Sequence, residues 1–276
     1  MNSNERSPDF TFSIAAKLRA AGCVFAEDEA RLLAAAARTP DELAAMADRR
    51  ASGLPLEHVV GWAAFCGLRI AVDPGVFVPR RRSEFLVRQA AAVARPGDVV
   101  VDLCCGSGAL GAALAAAVGR VELHAADIDP ASVRCARRNV ASAGGRVYEG
   151  DLYAPLPAAL RGRVDLLLAN APYVPTGAIG LLPAEARLHE AAAALDGGAD
   201  GLDVHRRVAA DAAQWLAPGG RLLIEVGERQ ALQAVGIFER SGLLARAVRC
   251  DELDATVVIG TMPGADRATR RHRDRE

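Results

Sequence analysis

Past its midpoint the chain places Asn170-Ala171-Pro172-Tyr173 directly after the apolar run Val164-Asp165-Leu166-Leu167-Leu168-Ala169. An asparagine side-chain oxygen and the Ala171 main-chain carbonyl make two acceptors a few atoms apart. A planar NH2 group carries two donors in its own plane, so this pair can hold it in one orientation. Accepting both protons also steadies the positive charge that develops when such a nitrogen acts as a nucleophile. An amide nitrogen needs that help, because its lone pair is delocalised into the carbonyl. No strong base is required, since the nitrogen becomes acidic only as its new bond forms. Tyr173 is placed to stack on a flat amide. Read alone, Asn-x-Pro-Tyr is equally an ordinary turn after a strand.

A second constellation precedes it. The strand-like residues 99–103 run into Cys104-Cys105-Gly106-Ser107-Gly108-Ala109-Leu110-Gly111, and Asp127 closes the next strand. Gly106, Gly108 and Gly111 satisfy G-x-G-x-x-G, a loop that lets a ligand approach the backbone at a helix start. That pattern fits a nicotinamide-dependent dehydrogenase as well as an S-adenosylmethionine enzyme. Asp102 separates the two. A carboxylate before the loop attracts a cationic amino-acid group, directly or through water, and repels a pyrophosphate. Asp127 accepts from both ribose hydroxyls of either cofactor. Gly150-Asp151-Leu152 follows the third strand and can line an adenine, with Asp151 accepting from its exocyclic amine; a turn aspartate is the plainer alternative. A dehydrogenase has no use for Asn170–Tyr173.

For these turns to act together they must lie at one end of a sheet. Strand patterns cover 99–103, 121–126, 146–148, 164–169, 221–226, 243–249 and 256–259, and helical patterns cover 108–117, 131–141, 203–215 and 229–241. Such alternation predicts an α/β fold with a mostly parallel, doubly wound sheet that binds ligands beyond the carboxyl ends of its strands. Residues 11–52 carry helical periodicity, with Thr39 as a cap, Pro40 in the first turn and Glu42 three positions on. Residues 58–78 alternate around Gly67 and Asp73-Pro74-Gly75, which predicts a hairpin. The expected organisation is a helical substrate-recognition domain (1–55, with 1–9 as a disordered lead-in), a β-hairpin linker (56–80), a catalytic domain (81–262) and a disordered charged tail (263–276). Trp62 and Phe77 either cover the cofactor or pack in the core. Glu225 either lines the substrate side or is buried beside Arg80.

Lys+Arg 33 against Asp+Glu 34 gives a net charge of -1, which offers no case for nonspecific nucleic-acid binding. The six cysteines form no C-x-x-C pair and no metal site with histidine, and read as reduced thiols. No secretory signal and no apolar run of about 18 residues occur, which predicts a soluble, cytoplasmic protein.

Together these residues resemble the protein-(glutamine-N5) methyltransferases of the HemK/PrmC type, which modify the Gly-Gly-Gln loop of peptide chain release factors. The resemblance runs through 55–61, Val78-Pro79-Arg80 with Ser83-Glu84, 102–108, Asp127, 170–173, Leu195-Asp196-Gly197-Gly198 with Asp200-Gly201-Leu202, Pro218-Gly219-Gly220 and Glu225-Val226-Gly227. It implies a class I S-adenosylmethionine-dependent methyltransferase fold behind a small N-terminal helical domain. It implies cofactor contacts at Asp102, Cys104, Cys105, Gly106, Ser107, Gly108, Asp127, Asp151, Leu152 and Asn170, with S-adenosyl-L-homocysteine as product. Catalysis falls to Asn170, Ala171, Pro172 and Tyr173. The implied partner is a protein, a peptide chain release factor, with neither membrane nor nucleic acid.

Four features of this chain depart from the family pattern. Ala171 stands where the family usually has proline, yet it keeps the needed carbonyl. Cys104-Cys105 begins the glycine loop where Gly-x is usual, and Cys104 is expected to fit only with a negative φ. The family's Glu-Pro after His189 is here Glu190 without its proline, and Glu190 reads as structural. The helical module is also shorter than the family's, with a compact connection over 39–50. Methylation of a small molecule or another protein through the same clamp is therefore the alternative, with adenine N6-methylation and a dehydrogenase behind it.

Overall fold

The computed structural model describes residues 8–264. Residues 1–7 of the expected lead-in, and residues 265–276 of the charged tail, lie outside the described residues. Helix α1 (Pro8–Ala20) begins inside that lead-in. It packs with α2 (Ala26–Ala36), α3 (Pro40–Ala51) and the short α4 (Leu56–Val60) around Leu18, Leu33, Leu43 and Met46. The Thr39 hydroxyl accepts from the Glu42 N–H at 3.1 Å, and Glu42 reaches back to the Arg38 N–H at 2.6 Å. The start of α3 is thus set by its own sequence.

The hairpin is shorter than the alternation of 58–78 predicts. Strands β1 (Trp62–Phe65) and β2 (Leu68–Ala71) turn at Cys66-Gly67, while 56–60 are helical and 72–79 irregular. His58 accounts for part of the difference. Its ring is buried and its Nε2 meets the Val76 carbonyl at 2.8 Å, tying the helical turn to the segment beyond the hairpin.

After α5 (Glu84–Ala91), which the sequence reading does not anticipate, the chain alternates: β3 (Val99–Leu103), α6 (Ala109–Val118), β4 (Glu122–Asp127), α7 (Pro130–Asn139), β5 (Arg146–Glu149), β6 (Val164–Ala169), α8 (Ala184–His189), α9 (Asp203–Trp215), β7 (Leu216–Val226), α10 (Ala231–Arg240), β8 (Leu244–Cys250) and β9 (Ala255–Thr261). The sheet order is β5-β4-β3-β6-β7-β9-β8. Every pairing from β5 through β7 is parallel, and β9 runs antiparallel to both its neighbours. Alternate side chains serve opposite faces. Val100, Leu166, Leu168 and Leu223 meet α5–α7, whereas Val99, Val101, Leu167 and Ile224 meet α9 and α10. Asp102 falls by parity on the α6 face.

The helical module is fixed to the rest through Arg50, only 7% exposed. Its guanidinium contacts Glu29 of α2 at 2.6 and 3.0 Å, the Leu54 carbonyl at 2.9 Å and Glu185 of α8 at 2.6 Å. Breaking a buried pair strands a charge away from water. We expect Glu29→Ala to cost about 3 kcal/mol of unfolding free energy by urea titration; a loss well below about 1 kcal/mol would mean that water reaches Arg50 and that the pair behaves as a surface one.

Candidate functional site

A cavity of about 290 Å3 opens at the carboxyl ends of β3, β4 and β6. Its floor is the loop Cys104–Ser107. Asp127 and Ile128 form one wall, Asp151 and Leu152 the next, and Asn170 with Pro172 the far end. Phe65, Phe77 and Pro79 close it from the hairpin side, and Ala191, Ala193 and Ala194 from the other. Phe77 therefore faces the ligand space, while Trp62 lies beneath the Arg69 guanidinium at 4.0 Å. Among the residues singled out from sequence, Asp102, Gly108, Ala171 and Tyr173 do not line the cavity.

Asp102 is fully buried. One carboxylate oxygen accepts from the Gly111 N–H of α6 at 2.9 Å, and the other has no partner among the described residues. Burial pushes its pKa up to about 8, with the Gly111 N–H acting against the shift and Asp127 adding to it. A buried acceptor left open calls for a donor. The ammonium group of S-adenosylmethionine, met directly or through water, has the required charge. Asp127 takes the Gly106 N–H at 2.8 Å and the Asp129 N–H at 2.9 Å, one on each oxygen. Each oxygen keeps a second lone pair, which suits a ribose diol. Burial raises its pKa as well. Asp129 caps α7 by accepting from Ala131 and Ser132, leaving Asp127 to the cavity. Asp151 shares one oxygen with Arg207 at 2.6 Å, and its other oxygen remains for an amine. Exposed Ile128 and half-buried Leu152 supply apolar faces for a base.

Cys104 departs from expectation: its φ is +52°, not negative. Leu152, at +49°, shares this left-handed geometry. A side chain there costs roughly 1–2 kcal/mol, and the loop is held in place regardless. The Cys105 N–H donates to Ala126 O at 3.1 Å, and the Gly108 N–H to Cys105 O at 2.7 Å. A Cβ at Gly108 would press on Ala136 and Val140 at 3.1–3.2 Å, and its φ of +77° disfavours any side chain as well. Burial raises the Cys104 and Cys105 thiols, and neighbouring aspartates add to it, so neither is a ready thiolate. Among the described residues no metal-binding cluster occurs.

At the far end, the Asn170 Nδ2 donates to the buried Ser83 hydroxyl at 3.2 Å. Its Oδ1 accepts nothing from the described residues. Tyr173 is turned away from the cavity. Its hydroxyl donates to Glu225 at 2.9 Å, and Arg82 lies over its ring at 5.8 Å. Glu225 is thus paired with Arg82 at 3.4 Å, and Arg80 instead binds Glu190 at 2.6 and 2.7 Å. Glu190 is structural as expected, holding the Val78 N–H as well as Arg80. The tetrapeptide backbone packs on the glycines downstream. A Cβ at Gly197 would fall 2.7 Å from Pro172 O, and one at Gly201 2.2 Å from Tyr173 O. Gln230 completes the clamp by donating to Tyr173 O and Asp200 O, both at 2.9 Å. Sequence reasoning missed three supports. They are Ser83, noted only as part of a motif, Gln230, and Asn139, which joins Ala71 of the hairpin to Ser107 O at 2.8 Å.

The methyltransferase small domain family matches residues 67–200. A release factor glutamine methyltransferase of Geobacter sulfurreducens is 39% identical over 208 residues, which span 74% of this chain and 72% of that protein. A 4-amino-L-phenylalanine/4-methylamino-L-phenylalanine methyltransferase of Streptomyces pristinaespiralis is 37% identical over 206 residues, 72% of this chain and 70% of that protein. A solved methyltransferase from Pyrococcus furiosus has the same fold, with a TM-score of 0.55 at 17% identity over 71% of this chain and 90% of its own. Fold and site define a class I S-adenosylmethionine-dependent methyltransferase. The chain belongs to the release factor glutamine methyltransferase (HemK/PrmC) family.

Two predictions follow from the loop. With a pKa of about 8, Asp102 is protonated at pH 7 in the free protein. A cation at its open oxygen favours the ionised form. Binding of S-adenosylhomocysteine should therefore release a proton at pH 7 and tighten as pH rises toward 8. Calorimetry in buffers of different ionisation enthalpy reads this, and Asp102→Asn should abolish the release; equal heats in all buffers would remove Asp102 from the cofactor site. Separately, Cys104→Gly should relieve the positive φ and raise stability by up to about 1 kcal/mol, with ligand affinity kept. A loss of stability would show that thiol packing outweighs the strain.

Proposed function

We propose that this protein transfers the methyl group of S-adenosylmethionine to the side-chain amide nitrogen of a glutamine in a peptide chain release factor. The observation that supports this best is the Asn170 amide, held by Ser83 with its free oxygen next to the glycine-loop cavity. The bound cofactor supplies an electrophilic methyl on a sulfonium. Asn170 Oδ1 and the Ala171 carbonyl receive the two N–H bonds of the glutamine NH2, which points the nitrogen lone pair out of the amide plane. As nitrogen gains the methyl and becomes positive, both acceptors strengthen their hold, so they favour the transition state over the bound substrate. The new carbon–nitrogen bond forms as the carbon–sulfur bond breaks, and the methylated nitrogen then passes one proton to solvent water, which restores the neutral amide. Asp102 and Asp127 would hold the amino-acid and ribose ends of the cofactor. The divisions 1–55, 56–80, 81–262 and 263–276 remain our proposed domain limits, with the first serving to recognise the protein partner. A translation factor as acceptor implies a cytoplasmic site of action; no helix among the described residues is long and apolar enough to cross a membrane.

A second reading rests on the relative named for an aminophenylalanine acceptor. An arylamine also presents a planar NH2, and the same two oxygens would receive it.

The deciding experiment is incubation with labelled methyl donor and either a release factor or 4-amino-L-phenylalanine, with mass mapping of the product. We expect label on the glutamine of a Gly-Gly-Gln peptide. Asn170→Ala should lower transfer by roughly 100-fold or more while S-adenosylhomocysteine affinity stays within a few-fold. Persistent transfer in that variant would rule out the clamp, and label on the arylamine alone would establish the second reading.

A further inference from the structure

Four aspartates line the cavity, and three of them are accounted for. Asp127 faces the ribose position, Asp129 caps α7, and Asp151 holds Arg207. Asp196 is the fourth. It lines the same end as Asn170 and Pro172, and it stands beside Val174 in a parallel bridge. Its Oδ1 takes both internal donors, the Gly198 N–H at 2.9 Å and the Thr176 hydroxyl at 2.7 Å. Among the described residues nothing donates to Oδ2. The Gly198 N–H, and after it the Thr176 hydroxyl, hold this carboxyl below the usual carboxylate range, so it is ionised at neutral pH. Arg207, the one basic side chain among the residues lining the cavity, is already on Asp151. An ionised carboxylate can only accept, so its free oxygen calls for a donor that the ligand brings. The cofactor's ammonium has Asp102 and its ribose has Asp127, which leaves the methyl acceptor.

We propose that Asp196 Oδ2 binds a main-chain N–H of the acceptor segment, so that the acceptor is held at two points: its side-chain NH2 by Asn170 and Ala171, and its backbone by Asp196. The inference rests on the glutamine reading above for the identity of that donor; the α-ammonium of a free amino acid would offer the same chemistry. Both holds stand on segments joined by main-chain hydrogen bonds, from the Val174 N–H to Leu195 O at 3.1 Å and from the Gly197 N–H to Val174 O at 2.9 Å. Their separation is therefore fixed, and it sets the length of side chain that reaches from one to the other. A second fixed point also removes the freedom of the acceptor to pivot about its amide.

The test uses the full chain, S-adenosylmethionine and a synthetic peptide containing Gly-Gly-Gln. Asp196→Asn keeps an oxygen for Gly198, whose N–H can only donate, and so turns its own NH2 into the cavity. The loop stays hydrogen-bonded while the free acceptor becomes a donor; intact mass checks that the new amide has not hydrolysed back. KM for the peptide should rise about ten-fold or more, the weight of a hydrogen bond to a charged group. The kcat should change less than KM, and S-adenosylhomocysteine affinity should stay within a few-fold. On the substrate side, an ester in place of each peptide bond in turn removes one N–H. With the unaltered protein one of these esters should raise KM by a similar factor. With Asp196→Asn the same ester should cost nothing further, since both changes remove one contact. An unchanged KM in Asp196→Asn, or ester effects equal in the two proteins, would overturn the inference. Weakened S-adenosylhomocysteine binding would overturn it too, by giving Asp196 to the cofactor's ammonium. If 4-amino-L-phenylalanine is methylated and no peptide is, the glutamine reading fails and Asp196 is judged on that amino acid. Its KM should then rise in Asp196→Asn, and its analogue lacking the α-amino group should show no such rise; equal behaviour of the two would remove Asp196 from acceptor binding.

Discussion

Two main-chain segments in this protein lie closer together than side chains permit, and the site depends on that approach. The carbonyls of Pro172 and Tyr173 fall where the Cβ atoms of Gly197 and Gly201 would be. Around this contact the Gly197 N–H donates to Val174 O at 2.9 Å, the Thr176 N–H to Gly198 O at 2.9 Å, and the Val174 N–H to Leu195 O at 3.1 Å. The result is a short parallel ladder beyond the end of the sheet. Gln230 closes it from the third side. The stretches 170–173 and 195–202 therefore form one mechanical unit, in which the glycines exist to admit the backbone that carries Asn170. Loss of a ring at Ala171 is tolerable in this setting. Ala171 is 1% exposed and its neighbours are fixed by the ladder, so the preorganisation a second proline would add is supplied by packing.

The cofactor end is built on the opposite economy. Cys104 and Leu152 sit at positive φ, Asp102 keeps an open buried oxygen, and Asp127 lies near it on a neighbouring strand. Each feature raises the free energy of the unliganded fold. For Asp102 the sign is definite. Its folded pKa of about 8 stands above the ordinary 3.8, so the fold binds an extra proton between these values and loses stability as pH rises through them. A ligand bearing a cation removes that cost, which turns local instability into affinity. Strain and unmet polarity gather where a ligand would relieve them.

Much of the frame was readable from the residues. The strand at 99–103, the strand at 164–169 and the helix at 203–215 fall where apolar patterning put them, because each is a long, unambiguous run. The hairpin was overextended since His58 and Val76 pair across it, and no local pattern reports a contact between residues 18 apart. Cys104 was misjudged because a φ angle is decided by the loop's anchors, which lie on β4 and α6, and not by the cysteine itself. Of the two alternatives left open for Glu225, the one that named Arg80 missed its actual partner, Arg82, for a related reason. Arg80 and Arg82 are two residues apart on an irregular segment, and only the placement of Glu190 shows which of them is already taken. The cavity-facing residues were largely legible from motif order, whereas Ser83, Asn139 and Gln230 act by joining segments distant in sequence.

The wall formed by Ala191–Ala194 shows how the helical module bears on the site. Helix α8 precedes that wall and is gripped at both ends by arginines. Arg50, from the module, holds Glu185 at its start, and Arg80, from the segment after the hairpin, holds Glu190 just past its finish. Arg50 is itself locked to Glu29 and Leu54. A rigid-body shift of α2 and α3 keeps the buried Arg50–Glu29 pair intact and breaks the Arg50–Glu185 pair, whose glutamate is half exposed, unless α8 follows. Arg50 keeps Glu29 when it releases Glu185, so the tie to α8 has the modest strength of a partly exposed ion pair, and it acts on the wall through α8. The helical module and the acceptor end of the cavity are thus joined through a six-residue helix whose two ends are held by guanidinium groups, one from the module and one from the segment after the hairpin.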